Sequence, residues 1–325
     1  MQYVIFGESH GPAVGVVLTG VMPGLDLDLD FISAELARRA PGSSPLSTPR
    51  KEEDRVSILS GIYRGKTAGT PVCAIISNTD IRPEDYAGLS DTPRPGHADY
   101  TGAVRYQGYQ DPRGGGHFSG RLTAPLVFAG AVAKLALRKR GISVSAEISN
   151  VGGIPNPTAR QLEAVILEAR NDGDSVGGAI RCTVIGMPPG AGEPDFGRNA
   201  EGIYSQHLFA VPAVKGVAFG AGFGFSAMRG SRANDAFYME DGAVRTRTNH
   251  SGGINGGITN GMPIVLEVAV RPTPSISKPQ QTVDLRAKTD AQLVLRGRHD
   301  PCILPRALVV IEAAAALASC QLLGL

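Results

Sequence analysis

The sequence has no excess of charge of either sign: 32 basic residues meet 30 acidic ones, for a formal net charge of +2. A chain so balanced carries no global field to draw in nucleic acid or an anionic membrane, so any specificity for anions has to be local. Cysteine is scarce. Cys73, Cys182, Cys302 and Cys320 are scattered with no C-x-x-C pair, which argues against a disulfide scaffold or a paired-cysteine zinc site. It predicts reduced thiols that act as small buried hydrophobes. The opening apolar run, Met1 to Phe6, is too short for a signal peptide and meets Glu8 and His10 at once, so a cytoplasmic protein is expected. Disorder is excluded as well, with 42% hydrophobic and 19% charged residues. The last stretch, Leu308 to Leu325, is largely apolar but has Glu312 inside it and no basic flank after it; it reads as a buried Ala-rich helix, not a membrane span.

What the chain does have is punctuation. Its 42 Gly and 23 Pro are spread throughout and gather in no linker, which predicts a single domain over residues 1–325. Short β-like segments, Val14 to Leu18, Val72 to Ile76, Ile180 to Val184 and Ile264 to Val270, are separated by Gly/Pro turns. Helices are fewer. Asp30 is the expected cap of one that runs from Phe31 to the stop at Pro41-Gly42. A second begins at Thr123 or Ala124 with Pro125 in its first turn and closes at Arg138 to Gly141, and a third runs from Thr158 to Arg170. The fold class is α+β. A weak internal repeat lays Ser60 to Val72 on Gly252 to Ile264, which predicts two similar β-rich halves related by a pseudo-two-fold, with a ligand site between them.

Four constellations carry chemistry. Gly7-Glu8-Ser9-His10-Gly11 puts an imidazole beside a hydroxyl between glycines, where it can approach a ligand and move a proton, though a solvated loop histidine has the same look. Arg94-Pro95-Gly96-His97-Ala98-Asp99-Tyr100 offers an anion contact, a titrating ring and a carboxylate able to hold its tautomer. Arg113-Gly114-Gly115-Gly116-His117-Phe118-Ser119-Gly120-Arg121 runs into a helix N-terminus and makes the best phosphate cradle in the chain, without the Gly-Lys-Ser/Thr of a P-loop. Arg296-Gly297-Arg298-His299-Asp300-Pro301 gathers two cations, an imidazole and a carboxylate at the entrance of the last helix, where Asp300 could also be a plain cap. Together they ask for an anionic substrate. No histidine pair has the i, i+4 spacing of a zinc site, so no metal is expected.

Gly7 to Gly11, Arg94 to Asp99 and Gly297 to Pro301 resemble the three signatures of chorismate synthases, in order and in spacing. Arg38-Arg39, Thr48 to Glu52, Leu59 to Gly61, Val214 to Val217 and Gly252 to Ile254 are also similar to the family, so the resemblance covers nearly the whole chain. It implies a β-α-β sandwich, a homotetramer, and conversion of 5-enolpyruvylshikimate 3-phosphate to chorismate and phosphate, with reduced FMN required and NADPH as a candidate reductant. By similarity His10 serves the departing phosphate, His97 lies near flavin N1, and Asp300 assists proton uptake at N5, with Ser9 and Ser119 as relays. Arg39 and Arg121 grip the substrate. Flavin contacts come from His117, Phe118, Ser119, Ala213, Gly256, Arg271, Pro272, Thr273, Pro274, Ser275 and Arg298.

The chain departs from the family pattern in places. Pro45 stands where many members have a second arginine, which makes Arg50 the candidate substitute, and the usual Arg-Ser-Ser-Ala-Arg-Glu reads His117-Phe118-Ser119-Gly120-Arg121-Leu122. Two rival readings follow: a flavin- or phosphate-binding homologue with impaired catalysis, and a metal-dependent phosphatase built on His10, His97 and His117.

Overall fold

The computed structural model describes residues 1–42, 53–79, 91–295 and 300–325. β1 (Gln2–Gly7) turns through Glu8 to Pro12 into β2 (Ala13–Thr19), whose Val14, Val16 and Leu18 point to one buried face with the period of two that a strand imposes. Gly7 makes that turn with φ of +98°, and a Cβ there would meet the Ala13 carbonyl oxygen at 2.4 Å, so only glycine fits. α1 (Leu29–Arg39) begins earlier than the sequence indicates. Asp28, not Asp30, takes the extended cap conformation and accepts from the Phe31 N–H, which leaves Asp30 in the first turn. β3 (Val56–Ser60), the hairpin β4 (Ile62–Tyr63) and β5 (Lys66–Thr67), and β6 (Val72–Ser77) complete an antiparallel sheet of order β1-β2-β6-β3. α2 (Asp99–Arg105) and two 3-10 turns then lead into α3 (Thr123–Arg138), buried from Ala124 to Leu137.

The second half starts with β7 (Ser143–Val151) and the short β8 (Ile154–Pro155). α4 (Ala159–Asn171) is opened by a Thr158–Gln161 capping box and leads to β9 (Gly178–Ile185), α5 (Ala200–Phe209) and β10 (Val214–Phe219). The short α6 (Gly230–Ala233), the hairpin β11 (Phe237–Glu240) and β12 (Ala243–Thr246), and the hairpin β13 (Ile254–Asn255) and β14 (Ile258–Thr259) precede β15 (Ile264–Val270). A last hairpin, β16 (Gln280–Asp284) and β17 (Thr289–Leu293), stands before α7 (Leu304–Leu322). The second sheet has the order β10-β15-β9-β7-β8.

Set side by side, the halves follow one plan. β7, β9, β10 and β15 take the places of β1, β2, β3 and β6; α5 and α7 take those of α1 and α3; the hairpin β13–β14 takes that of β4–β5. The correspondence reaches single atoms. Thr67 Oγ1 donates to the Met22 carbonyl at 2.6 Å and accepts from the Leu25 N–H at 3.0 Å. Thr259 Oγ1 donates to the Pro188 carbonyl at 2.6 Å and accepts from the Ala191 N–H at 2.9 Å. The repeat between Ser60–Val72 and Gly252–Ile264 is thus part of a repeated topology.

The core lies where α3 and α7 pack on each other, α3 also covering β2 and β6 and α7 covering β7 and β9. This is a sheet–helix–sheet sandwich. Both helices are long and apolar enough to cross a membrane, yet most of their surface is buried in the protein. They approach so closely that a Cβ on Gly130 would lie 2.1 Å from that of Ala313. Glu312, the one acid in the apolar α7, is fully partnered: Arg38 donates to both its oxygens at 2.7 and 2.8 Å, Lys134 at 2.5 Å and the Ala146 N–H at 3.1 Å. Cys182, Cys302 and Cys320 are buried, as small hydrophobes are expected to be.

Candidate active site

The repeated plan brings matching helix ends to one place. α1 and α5 finish, and α3 and α7 begin, around a cavity of about 290 Å³. The two halves line it differently. The first contributes Arg39, Arg94 and Arg121; the second contributes Val211, Pro212 and Ala213 after α5, Ile303, Ala307 and Val310 along α7, and the charged Arg271, Asp300 and Arg306. The aliphatic side chains all come from the second half, while guanidinium groups come from both, and the N-termini of two helices add positive potential.

Arg39, Arg121 and Arg306 belong to one bonded array. Arg39 is buried and donates from Nε to Asp54 at 2.6 Å, and Arg121 donates to the other oxygen of the same carboxylate. Arg121 also donates from Nε to Asn78 Oδ1 at 2.9 Å and from Nη2 to the Ser77 carbonyl at 3.1 Å. Burial pulls the Arg39 guanidinium down to about 10, Asp54 opposing and the nearby Arg306 and Arg121 reinforcing, so it stays charged at neutral pH. Arg306 donates to the Arg39 carbonyl at 2.9 Å and pairs with Asp300 at 2.5 Å. Asp300 therefore faces the cavity as half of an ion pair, and does not cap α7, whose cap residue is Ile303 with no side-chain bond.

His97 is held from behind. Its Nδ1 lies 2.6 Å from Asp99 Oδ1, and Arg94 donates to both oxygens of the same carboxylate at 2.7 and 2.8 Å. Burial raises the Asp99 carboxyl, but the hydrogen bonds from Arg94 and His97 outweigh it and hold the group well below the usual carboxylate range. An ionised Asp99 keeps the proton on Nδ1 and leaves Nε2 for the ligand.

Beneath the histidines runs a ribbon of three glycines, all with positive φ. A Cβ at Gly114 would sit 2.1 Å from His10 Cε1, and one at Gly115 would sit 3.0 Å from His97 Cε1. At Gly114 and Gly115 a side chain would take the space of the two imidazoles, and the positive φ favours glycine at all three. Ser9 Oγ is 3.1 Å from His10 Nδ1, and the Ser9 N–H donates to the Gly116 carbonyl at 3.2 Å, tying the first motif to the third.

On the aliphatic side, Ala213 adopts φ of +75°, a strained value for alanine, and its carbonyl accepts the Arg271 N–H at 3.0 Å. Ser175 Oγ donates to the Thr273 carbonyl at 2.7 Å, while Thr273 Oγ1 is buried with no hydrogen-bond partner among the described residues. At Gly96 a Cβ would approach Arg271 Nη1 at 2.9 Å, so the second motif and the 271–275 strip are packed together.

Of the residues marked by the sequence, Arg39, His97, Phe118, Ser119, Arg121, Ala213, Arg271, Thr273, Pro274, Ser275 and Asp300 line this cavity. Ser9 and His10 sit directly behind Gly114. Three are not brought to it. His117 turns its Nδ1 to the Gly7 carbonyl at 3.0 Å, Pro272 packs on Gly177, and Gly256 occupies the open turn of the β13–β14 hairpin. Arg50 and Arg298 lie outside the described residues. Sequence reasoning missed Asp54, Asn78 and Arg306. Only Arg306 left a signal, since a cation in the first turn of a helix opposes the dipole and needs a local reason. Among the described residues no group of three or more His, Cys, Asp and Glu side chains is placed to hold a metal ion, so the phosphatase reading finds no support.

A family model described as chorismate synthase matches residues 1–323. This chain belongs to the chorismate synthase family. It is 48% identical to a chorismate synthase of Methanothermobacter thermautotrophicus over 335 residues, covering 96% of this chain and 89% of that one. It is 46% identical to one from Aeropyrum pernix over 343 residues, covering 98% and 90%. A solved structure titled "Crystal Structure of Chorismate Synthase" superposes with a TM-score of 0.78 at 27% identity, covering 99% of this chain and 91% of that one. Members of this family are carbon–oxygen lyases acting on phosphates, and an anion-gripping wall beside two histidines suits that class.

Proposed function

We propose that this chain eliminates phosphate from 5-enolpyruvylshikimate 3-phosphate by a trans 1,4-elimination, giving chorismate with reduced FMN required and no net redox change. The observation that carries the residue assignments is one cavity lined by Arg39 and Arg121, by the aliphatic Val211, Ile303, Ala307 and Val310, and by His97 fixed on Asp99.

A phosphate dianion is a poor leaving group and the C–H bond to be broken is unactivated, so positive charge and a proton donor are needed at the phosphate and a proton acceptor at the C–H bond. Arg39 and Arg121 supply the charge, their forks aligned by the shared Asp54 and matched to carboxylate and phosphate oxygens. His10, with Ser9 on its Nδ1, delivers a proton to the departing phosphate. Asp300, paired with Arg306, would assist uptake of the substrate proton at flavin N5, and Ser119, which lines the same cavity, would serve as a relay.

The residues fit a flavin. The aliphatic wall of Val211 to Ala213 and α7 suits a flat ring, and the buried Thr273 hydroxyl and the Arg271 guanidinium offer donors to its polar edge and phosphate. Bound reduced FMN supplies an electron-rich ring and an N5 site for the substrate proton. His97 Nε2 is the group to steady the negative charge on that ring. NADPH is the candidate reductant of the flavin. A cytoplasmic homotetramer is the assembly proposed, supported by Val4 and Phe6, which the outer face of β1 leaves exposed.

The test is anaerobic turnover with reduced FMN. Chorismate and phosphate are expected in equal amounts, unaffected by chelator and absent without flavin; phosphate without chorismate overturns the proposal. His10→Ala is expected to slow turnover by about 10²- to 10⁴-fold, the range for losing a general acid. A near-wild-type rate rejects that role.

A further inference from the structure

Asn78 belongs to none of the sequence motifs, yet its side chain meets two of them at once. Its Nδ2 donates to the Glu8 carbonyl at 2.9 Å and to the Gly11 carbonyl at 2.8 Å, the two ends of the turn that presents Ser9 and His10. Its Oδ1 accepts from Arg121 Nε at 2.9 Å. The main chain adds a fourth link, from the Asn78 N–H to the Pro12 carbonyl at 3.1 Å. Amide orientation is often ambiguous. Here it is determined, because only an NH₂ group satisfies two carbonyl oxygens and only an oxygen satisfies a guanidinium.

We infer that Asn78 is a positioning residue that sets where the His10 loop stands relative to the substrate-gripping arginines. Arg121 shares Asp54 with Arg39, so a continuous set of bonds runs from the His10 turn through Asn78, Arg121 and Asp54 to Arg39. Neither aspartate nor serine makes this joint. Aspartate keeps the acceptor but sets a carboxylate oxygen against two carbonyls, and serine is too short to span all three partners. The inference rests on the proposed roles of His10 as acid and Arg121 as anion contact. It adds that one amide holds the two in register, and a proton donor displaced by about 1 Å loses on the order of 10² in rate.

Asn78→Asp and Asn78→Ser in the full chain test this, the aspartate variant keeping the side-chain size should the serine variant fail to fold. Both are expected to lower kcat by about 10²-fold, as misplacement of a reacting group does, and to raise the KM for the phosphorylated substrate. Reduced FMN should bind as in the wild type. Most of the kcat loss should vanish in a His10→Ala background, where the loop no longer carries the acid; losses that multiply independently overturn the inference. Hydrogen exchange of backbone amides 8–11 gives a readout free of turnover. It should quicken in both variants while β1 and β2 stay protected, and unchanged exchange sinks the inference even if the wild-type protein makes no chorismate. An inactive wild-type protein with quickened exchange in the variants sinks the functional reading instead.

Discussion

Asp99 accepts from Arg94 and from His97, so a change at this one carboxylate alters which nitrogen of the imidazole carries the proton. Asp99→Asn is expected to reduce turnover by about 10²-fold or more through loss of the oriented ring, with reduced FMN still bound; unchanged turnover shows that the tautomer is irrelevant. The substitution also has a pH signature. Asp99 titrates lower in the folded protein than in the unfolded chain, so its stabilisation is complete above the unfolded value of about 3.9 and is lost as pH falls through the folded one. Urea midpoints of the wild type should therefore drop more steeply below about pH 4 than those of Asp99→Asn. The Arg94–His97–Asp99 cluster was legible because its members are neighbours in sequence. Asp54 and Asn78 were not. Asp54 lies in a charged run that reads as solvated surface, and each gains its meaning from Arg121, tens of residues away.

Among the elements, α3 and α7 were readable from their ends, where Pro125 and Pro305 stand in the first turn. α5 escaped. Its buried stripe includes Tyr204 and His207, whose polar atoms are satisfied by Ser319 at 2.7 Å and Gln321 at 2.8 Å on α7, and two polar side chains disguise an apolar face. The helix-to-helix contact is where a small change tells most. Gly130→Ala adds about 1 kcal/mol of helix propensity in isolation, but the new methyl would collide with the Ala313 backbone as well as its Cβ. Overpacking of this kind costs about 1–3 kcal/mol, so a lower urea midpoint is expected. A higher midpoint means that α3 and α7 can part without loss.

Across the whole molecule, His207 sits where the two halves and both ends of the chain meet. Its ring lies against Tyr3 of β1 and bonds to Gln321, while the Met1 amino group donates to the Leu325 carbonyl nearby. Burial, chiefly, lowers the His207 pKa, with the Gln321 bond opposing and the amino terminus reinforcing. A depressed folded value means stability that is complete above the unfolded pKa of about 6.5 and lost as pH falls below it. Denaturation midpoints of the wild type should decline from about pH 7 to pH 5, and those of His207→Gln should lose that slope; parallel curves refute the link. The duplicated plan itself was only partly legible. Gly61, Thr67 and Gly69 match Gly253, Thr259 and Gly261 because tight turns and a buried hydroxyl admit few substitutes, whereas the sheets tolerate any aliphatic and have lost their likeness. Two copies of a unit joined in one polypeptide can change independently, which identical partners in a symmetric dimer cannot. The seam between them was thus free to become lopsided, guanidinium groups standing on both banks but methyls collecting on one, so that two unlike guests can lie face to face where a true dyad would have demanded twins.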